Sequence, residues 1–284
     1  MLDNLKKILY ELCYWDNCLS EKEYIINLKS KCKTLYLLAD SFRNKYDELN
    51  LYAHSQLAYK EECIQSKAMS RGYYHSNPIT EMVVGGCKRG KISKNAKKPC
   101  FEYWFDEDKN LIYSVQFDYY HSKNDKISES KTYSSCEYII YLDKYQIGLL
   151  YNIDDKSLVD IEICEYDGKN ILFRINTDEG LVSEFGKINN IHFEQFNYSK
   201  YGISKYYEYN YREISKELFS AIIEDWHSHG NCEITNSDYL FIHNEITFYR
   251  NSTNNRITHY IYDEFKNDKK VSTEEYKPLV DINI

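Results

Sequence analysis

The sequence predicts an α+β protein, with N-terminal helices followed by a multi-stranded antiparallel meander sheet. Three observations carry this. Apolar residues near the N-terminus recur at three- and four-residue spacing, whereas from Phe101 onward they alternate every second residue. The chain holds 30 Tyr and 12 Phe, rings that suit half-buried sheet faces because one edge can stay wet. With Gly 10 and Pro 3 both scarce, a linker-rich or disordered chain is disfavoured.

Residues 1–75 read as the helical region. Leu5, Ile8, Leu9, Leu12 and Trp15 form one face, with Lys6, Lys7 and Glu11 between them. Ser20 followed by Glu23 is a helix-start signature. Leu28, Cys32, Leu35 and Leu38 continue a face, and Phe42, Tyr46, Leu49, Ala53, Leu57 and Ile64 extend the apolar positions toward Ala68. Two or three helices are expected, their stripe wide enough for core packing. Residues 76–100 form a connector containing Gly85, Gly86 and Gly90, with Val83-Val84 as a short strand.

The meander is assigned to 101–270. Phe101, Tyr103 and Phe105 alternate, a polar turn follows, and Leu111 to Phe117 returns as a hairpin partner. Strands follow at Glu137–Leu142, Gln146–Ile153 and Ser157–Glu165. Asp167-Gly168 then turns the chain into Ile171–Ile175. Ile191–Tyr198, Ile203–Tyr211, Tyr239–Ile242, Ile246–Tyr249 and Ile257–Phe265 complete the series. Loose regularity makes this a degenerate repeat: Leu158 and Ile171 are 13 apart, Ile246 and Ile257 are 11 apart. At 213–226 a helix competes with a strand, because Ile214, Leu218, Ile222 and Trp226 fall four apart. Residues 271–284 read as a C-terminal tail.

A formal net charge of -8 disfavours broad nucleic-acid binding. The 9 Cys, spread without close pairs, read as free thiols of a reducing, cytoplasmic compartment. No signal peptide is expected from the acidic start, and no apolar run is long enough for a membrane span.

Two phrases, Tyr103-Trp104-Phe105-Asp106-Glu107-Asp108-Lys109-Asn110-Leu111 and Glu165-Tyr166-Asp167-Gly168-Lys169-Asn170, resemble the hairpin units of tyrosine/aspartate repeat proteins. They are also similar to small meander-rich proteins found beside bacterial polymorphic toxins, some of them immunity proteins. Spanning about 101–265, the resemblance implies a protein that binds and blocks a toxin, with no catalytic residues to carry over. A sheet with a solvent-facing aromatic and acidic surface also suits a basic partner.

The sharpest local feature is a basic arm: Lys88, Arg89, Lys91, Lys94, Lys97 and Lys98. Its plainer reading is a solvated linker, and its functional reading is a contact for an acidic partner or phosphates. It lacks the order of a phosphate-binding loop. Together with Trp104 and Tyr113, taken as exposed aromatics, it forms the expected partner-contact set. His227, His229 and Cys232 are the best metal-like group, against the plainer reading of a polar turn. Cys87 and Cys100 read as structural thiols, and the carboxylate pairs Asp106/Asp108, Asp154/Asp155 and Glu274/Glu275 as turn residues. No cofactor, catalytic residue or metal ligand is assigned. The leading function is a protein-binding module, concretely an immunity protein. The alternatives are a metal-dependent enzyme or one acting on a nucleotide or nucleic acid, and a self-associating structural protein.

Overall fold

The computed structural model describes residues 2–16, 19–67, 69–94, 96–120, 130–177, 190–213 and 239–279. The predicted helical spacing yields α1 (Leu2–Cys13), α2 (Glu21–Phe42) and α3 (Tyr46–Gln56). Ser20 starts α2 as a capping box, its backbone N–H donating to Glu23 Oε2 at 2.8 Å. The C-terminal end of α1 is closed from outside. Lys31 of α2, buried, donates to the carbonyls of Glu11, Leu12 and Tyr14 at 2.7 to 2.8 Å. A cation there satisfies orphan carbonyls and complements the helix dipole, while burial lowers the Lys31 pKa to about 8.

Among the described residues, thirteen strands form one antiparallel sheet. They are β1 (Tyr59–Ile64), β2 (Lys91–Ser93), β3 (Phe101–Phe105), β4 (Leu111–Tyr120), β5 (Ser130–Leu142), β6 (Tyr145–Asn152) and β7 (Leu158–Asp167). Then come β8 (Asn170–Asn176), β9 (Asn190–Ser199), β10 (Gly202–Glu213), β11 (Tyr239–Arg250), β12 (Ile257–Lys266) and β13 (Lys269–Tyr276). From β3 to β13 each strand pairs with its successor, and the sheet stays open between β13 and β2. The expected meander is therefore observed. Several details differ: the strands expected at Tyr239–Ile242 and Ile246–Tyr249 are one strand, β11. Tyr59–Ile64, read with the helices, is a strand, and its Glu62 and Cys63 pair with β3 on one side and β2 on the other. Val83 ends a short helix, α4 (Thr80–Val83), rather than opening a strand. Lys269–Tyr276 is a strand because Asn267 and Asp268, at φ 50 and 60°, make a tight two-residue hairpin turn. The competing helix at 213–226 falls, apart from Glu213 at the end of β10, outside the described residues.

Alternation divides the strands into two faces. On one, Ile147, Leu149, Ile161, Ile163, Ile175 and Phe193 pack against Leu9, Leu12, Leu28 and Leu35 of α1 and α2. Trp15 stacks on Phe193 with ring centroids 4.4 Å apart and on Tyr24 at 5.2 Å. Tyr hydroxyls reach through this core to helix ends: Tyr151 donates to the Phe42 carbonyl at 2.6 Å. The opposite face is covered by a strap, residues 65–90, which leaves the sheet after Ile64 and returns to pair Lys91 with Ile64. Lys67 and Lys88 bridge its base. The strap carries a 3-10 turn, Gly72–Tyr74, and α4 across the strands as far as the chain end, where Leu279 N–H donates to the Met82 carbonyl at 3.0 Å.

Candidate functional site

Beneath the strap, charged side chains form a buried line across the sheet. Paired register positions Gly148–Glu162, Arg174–Glu194, Glu194–Glu208 and Glu208–Asn244 place them strand beside strand from β6 to β11. The three carboxylates of this line, Glu162, Glu194 and Glu208, together with Glu137 on β5, would repel one another if unpaired. Two guanidinium groups prevent this. Arg71, from the strap, makes a two-pronged bond to Glu137, with Nε to Oε2 at 2.7 Å, and reaches Glu162 at 2.9 Å. Arg174 donates to Glu162 Oε2 and to Glu194 Oε2, both at 2.6 Å. Each is buried, and planar guanidinium is the side chain best shaped for bridging carboxylates in this way.

Gly148 makes the crossing possible. A side-chain carbon at that position would stand 2.6 Å from Arg71 Nη2 and would collide with the Glu137 carboxylate. A glycine inside a strand marks such a close approach. Strap side chains add the remaining donors: Ser76 Oγ to Glu162 at 2.7 Å, and Asn77 Nδ2 to Glu194. Tyr206 OH donates to Glu194 at 2.6 Å. Burial works to raise the pKa of Glu162, but Arg174 and Arg71 outweigh it and hold the carboxyl well below the usual range. The same opposition, with Arg174 and His192 prevailing, lowers Glu194.

Next to this network the strap, the sheet and the chain end enclose a cleft of about 740 Å³. Asp160, Asn176, His192 and Glu208 line its floor, and Tyr206, Tyr260, Tyr262 and Tyr276 its walls. His192 Nε2 lies 2.9 Å from Glu208 Oε1. Burial disfavours its cation, yet Glu194 and Glu208 together raise its pKa. Asp160 accepts from Thr177 N–H at 3.0 Å and from its hydroxyl. Burial nevertheless pushes its carboxyl up to about 7. His75, on the strap, is driven down to about 3 by burial and by Arg174, so it stays neutral.

The residues singled out from sequence are distributed differently. Trp104 and Tyr113, expected at the surface, are 7% and 8% exposed and pack on each other with centroids 4.5 Å apart. Their strand positions point to the helix face, where Trp104 also meets His54 of α3 at 4.6 Å. They offer no contact surface. The basic arm is divided. Arg89 turns inward, donating to the His75 carbonyl at 2.7 Å and to those of Tyr73 and Asn77, so it clasps the strap to itself. Lys88, Lys91, Lys94, Lys97 and Lys98 are exposed, around β2 at the sheet edge. Cys87 and Cys100 are half-buried. Asp106 and Asp155 hold turns through Asn110 and Ser157 N–H groups, at 2.7 and 2.9 Å. His227, His229 and Cys232 lie outside the described residues. Among the described residues, no group of three or more His, Cys, Asp or Glu is placed to hold a metal ion.

Sequence reasoning missed Arg71, Glu137, Glu162, Arg174 and Glu194. Period-two alternation assigns charged strand residues to a wet face, and nothing local announces a strap above them. One signal was present. Only 7 of the 36 basic residues are Arg, and Arg71, Arg89 and Arg174 are the three that hold the strap and its network.

No helix among the described residues is long and apolar enough to cross a membrane. No protein-family model and no curated protein matches the chain. Among solved structures, it is similar to a porin-like protein from Bacteroides uniformis ATCC 8492, at 10% identity and a TM-score of 0.26. The match covers 63% of this chain and 89% of that one, and at this score it carries no argument about fold or function.

Proposed function

We propose that the protein is a binding protein whose recognition surface is the cleft beneath the strap. Its partner in this reading is another protein, and neutralisation of a bacterial toxin is the concrete form. The observation that carries it is the contrast between floor and rim. The charged network beside the floor is locked by ion pairs and strap hydrogen bonds, so it is organised before anything binds. The rim keeps apolar groups in water: Val84, Tyr276 and Leu279 are 47%, 42% and 57% exposed. Aromatic anchors around a fixed polar centre suit a protein interface.

The test is co-expression with the product of the neighbouring gene, followed by pull-down with the wild type and with Tyr276→Ala. Capture by the wild type, weakened in the variant, supports the reading. Absence of a complex removes the toxin form. A second reading, acid–base catalysis at the same cleft, draws on the Asp160 carboxyl standing near neutrality beside His192 and Glu208. It requires a turnover that Asp160→Asn abolishes while the fold, followed by circular dichroism, is kept.

A further inference from the structure

One buried acceptor lining the cleft lacks a donor, although Arg174 and His192 line it too. Asn176, 6% exposed, has a side-chain oxygen with no hydrogen-bond partner among the described residues, and it lines the floor. Leaving such an atom buried and unpaired costs about 1–3 kcal/mol. On β11, Asn244 repeats the pattern. Its amide nitrogen donates to Glu208 Oε2 at 3.0 Å, which fixes its orientation, and its oxygen is left without a partner. Glu208, which it flanks, belongs to the cleft floor.

Charge points the same way. In the connected network Arg71 and Arg174 face Glu137, Glu162, Glu194 and Glu208. A protonated His192 neutralises one carboxylate more, and a negative excess is left before Asp160 is considered. Water satisfies lone acceptors, but it does not neutralise the excess charge that half-buried Glu208 carries toward the cleft. Lys277 lines the mouth and is itself exposed. The walls are tyrosine rings, whose faces attract cations. We infer that the cleft is built to receive a positively charged nitrogen group, an alkylammonium or guanidinium, against the oxygens of Asp160, Asn176 and Glu208. The inference rests on the binding reading above and names the chemistry that the cleft recognises. Two sources share that chemistry: a free organic amine, and a Lys or Arg side chain of a partner protein.

The experiment is titration calorimetry on the full chain with n-butylammonium and ethylguanidinium chloride, against n-butanol and sodium butyrate. Saturable one-to-one binding of the cations, absent for the neutral and anionic isosteres, is expected. Glu208→Gln weakens cation binding roughly tenfold, the scale of one charged hydrogen bond. Asn176→Asp, which adds an anion at the orphan oxygen, strengthens it. Equal binding of cations and isosteres, or no binding by either cation, overturns the inference. The same holds for an unchanged affinity in a folded Glu208→Gln. Capped tripeptides centred on Lys or Arg separate the sources: tighter binding than the free amine assigns the group to a protein. Cation binding without any captured protein overturns the protein-partner reading and keeps this one. Capture of a partner that excess butylammonium leaves undisturbed does the reverse.

Discussion

The two faces of the sheet are built from alternate residues of the same strands, yet different forces hold them. On the helix face, Ile161, Ile163 and Phe193 meet leucines of α1 and α2, and the polar groups include Tyr hydroxyls and one Lys aimed at helix ends. Against the strap, Glu162, Arg174 and Glu194 occupy the intervening positions and are equally buried. Apolar packing is non-directional and tolerates substitution of similar volume. A buried ion network is directional, and each member depends on the others being in place. The helix face therefore supplies stability. The strap face fixes where one long connection lies, and so shapes the cleft.

The largest expected break in this comparison is Arg71→Met. It leaves Glu137 and Glu162 short of a counter-ion and is expected to cost about 3–5 kcal/mol in denaturant unfolding. Combining it with Glu137→Gln should recover part of that loss, since an unpaired charge is then removed. A cost confined to Arg71→Met, unrelieved in the double variant, would mean that shape rather than charge holds the strap. Leu35→Ala on the helix face should cost about 3 kcal/mol through the cavity it leaves. That loss should not alter cation binding in the cleft, measured by the calorimetry above. If it does, the two faces are not independent.

Gly148→Ala is expected to cost about 2 kcal/mol by overpacking. The added carbon stands where Arg71 and Glu137 meet, so limited proteolysis should find the strap more readily cut. Uniform destabilisation with an unchanged strap would contradict this.

The mildest test is pH. The Asp160 carboxyl rises from 3.8 to about 7 on folding. Between those values the folded state binds the extra proton, so this group's contribution to stability is lost as pH rises toward 7. Half-burial of the residue brings an upper bound of about 4 kcal/mol down to roughly 2. Asp160→Asn should match the wild type near pH 4 and exceed it above pH 7. The groups facing Asp160, namely Glu162, Arg174 and Thr177, are present in both proteins and cancel in the difference. A constant offset across the range would show that Asp160 does not titrate there.

Local chemistry determined much of this molecule in advance. Helical spacing around Leu9, Leu28 and Leu35, the Ser20–Glu23 cap, and period-two hairpins from Phe101 to Phe265 are all written in short windows of sequence, because each depends on neighbours within a few residues. Strand β13 was within reach of the same reasoning through its Asn267-Asp268 turn. Glu162, Arg174, Glu194 and Glu208 each sit beside an apolar residue in the sequence, but only strand register makes them one row. Only the tertiary structure decided that it is covered, because the cover comes from 65–90, and Arg71 meets a carboxylate 91 positions away. The same distance in sequence hid the burial of Trp104 and Tyr113, which rests on α3. A strand's period states which residues share a face. What lies against that face depends on where a distant segment folds, and here that segment makes the difference between a wet acidic surface and an acceptor-lined cleft.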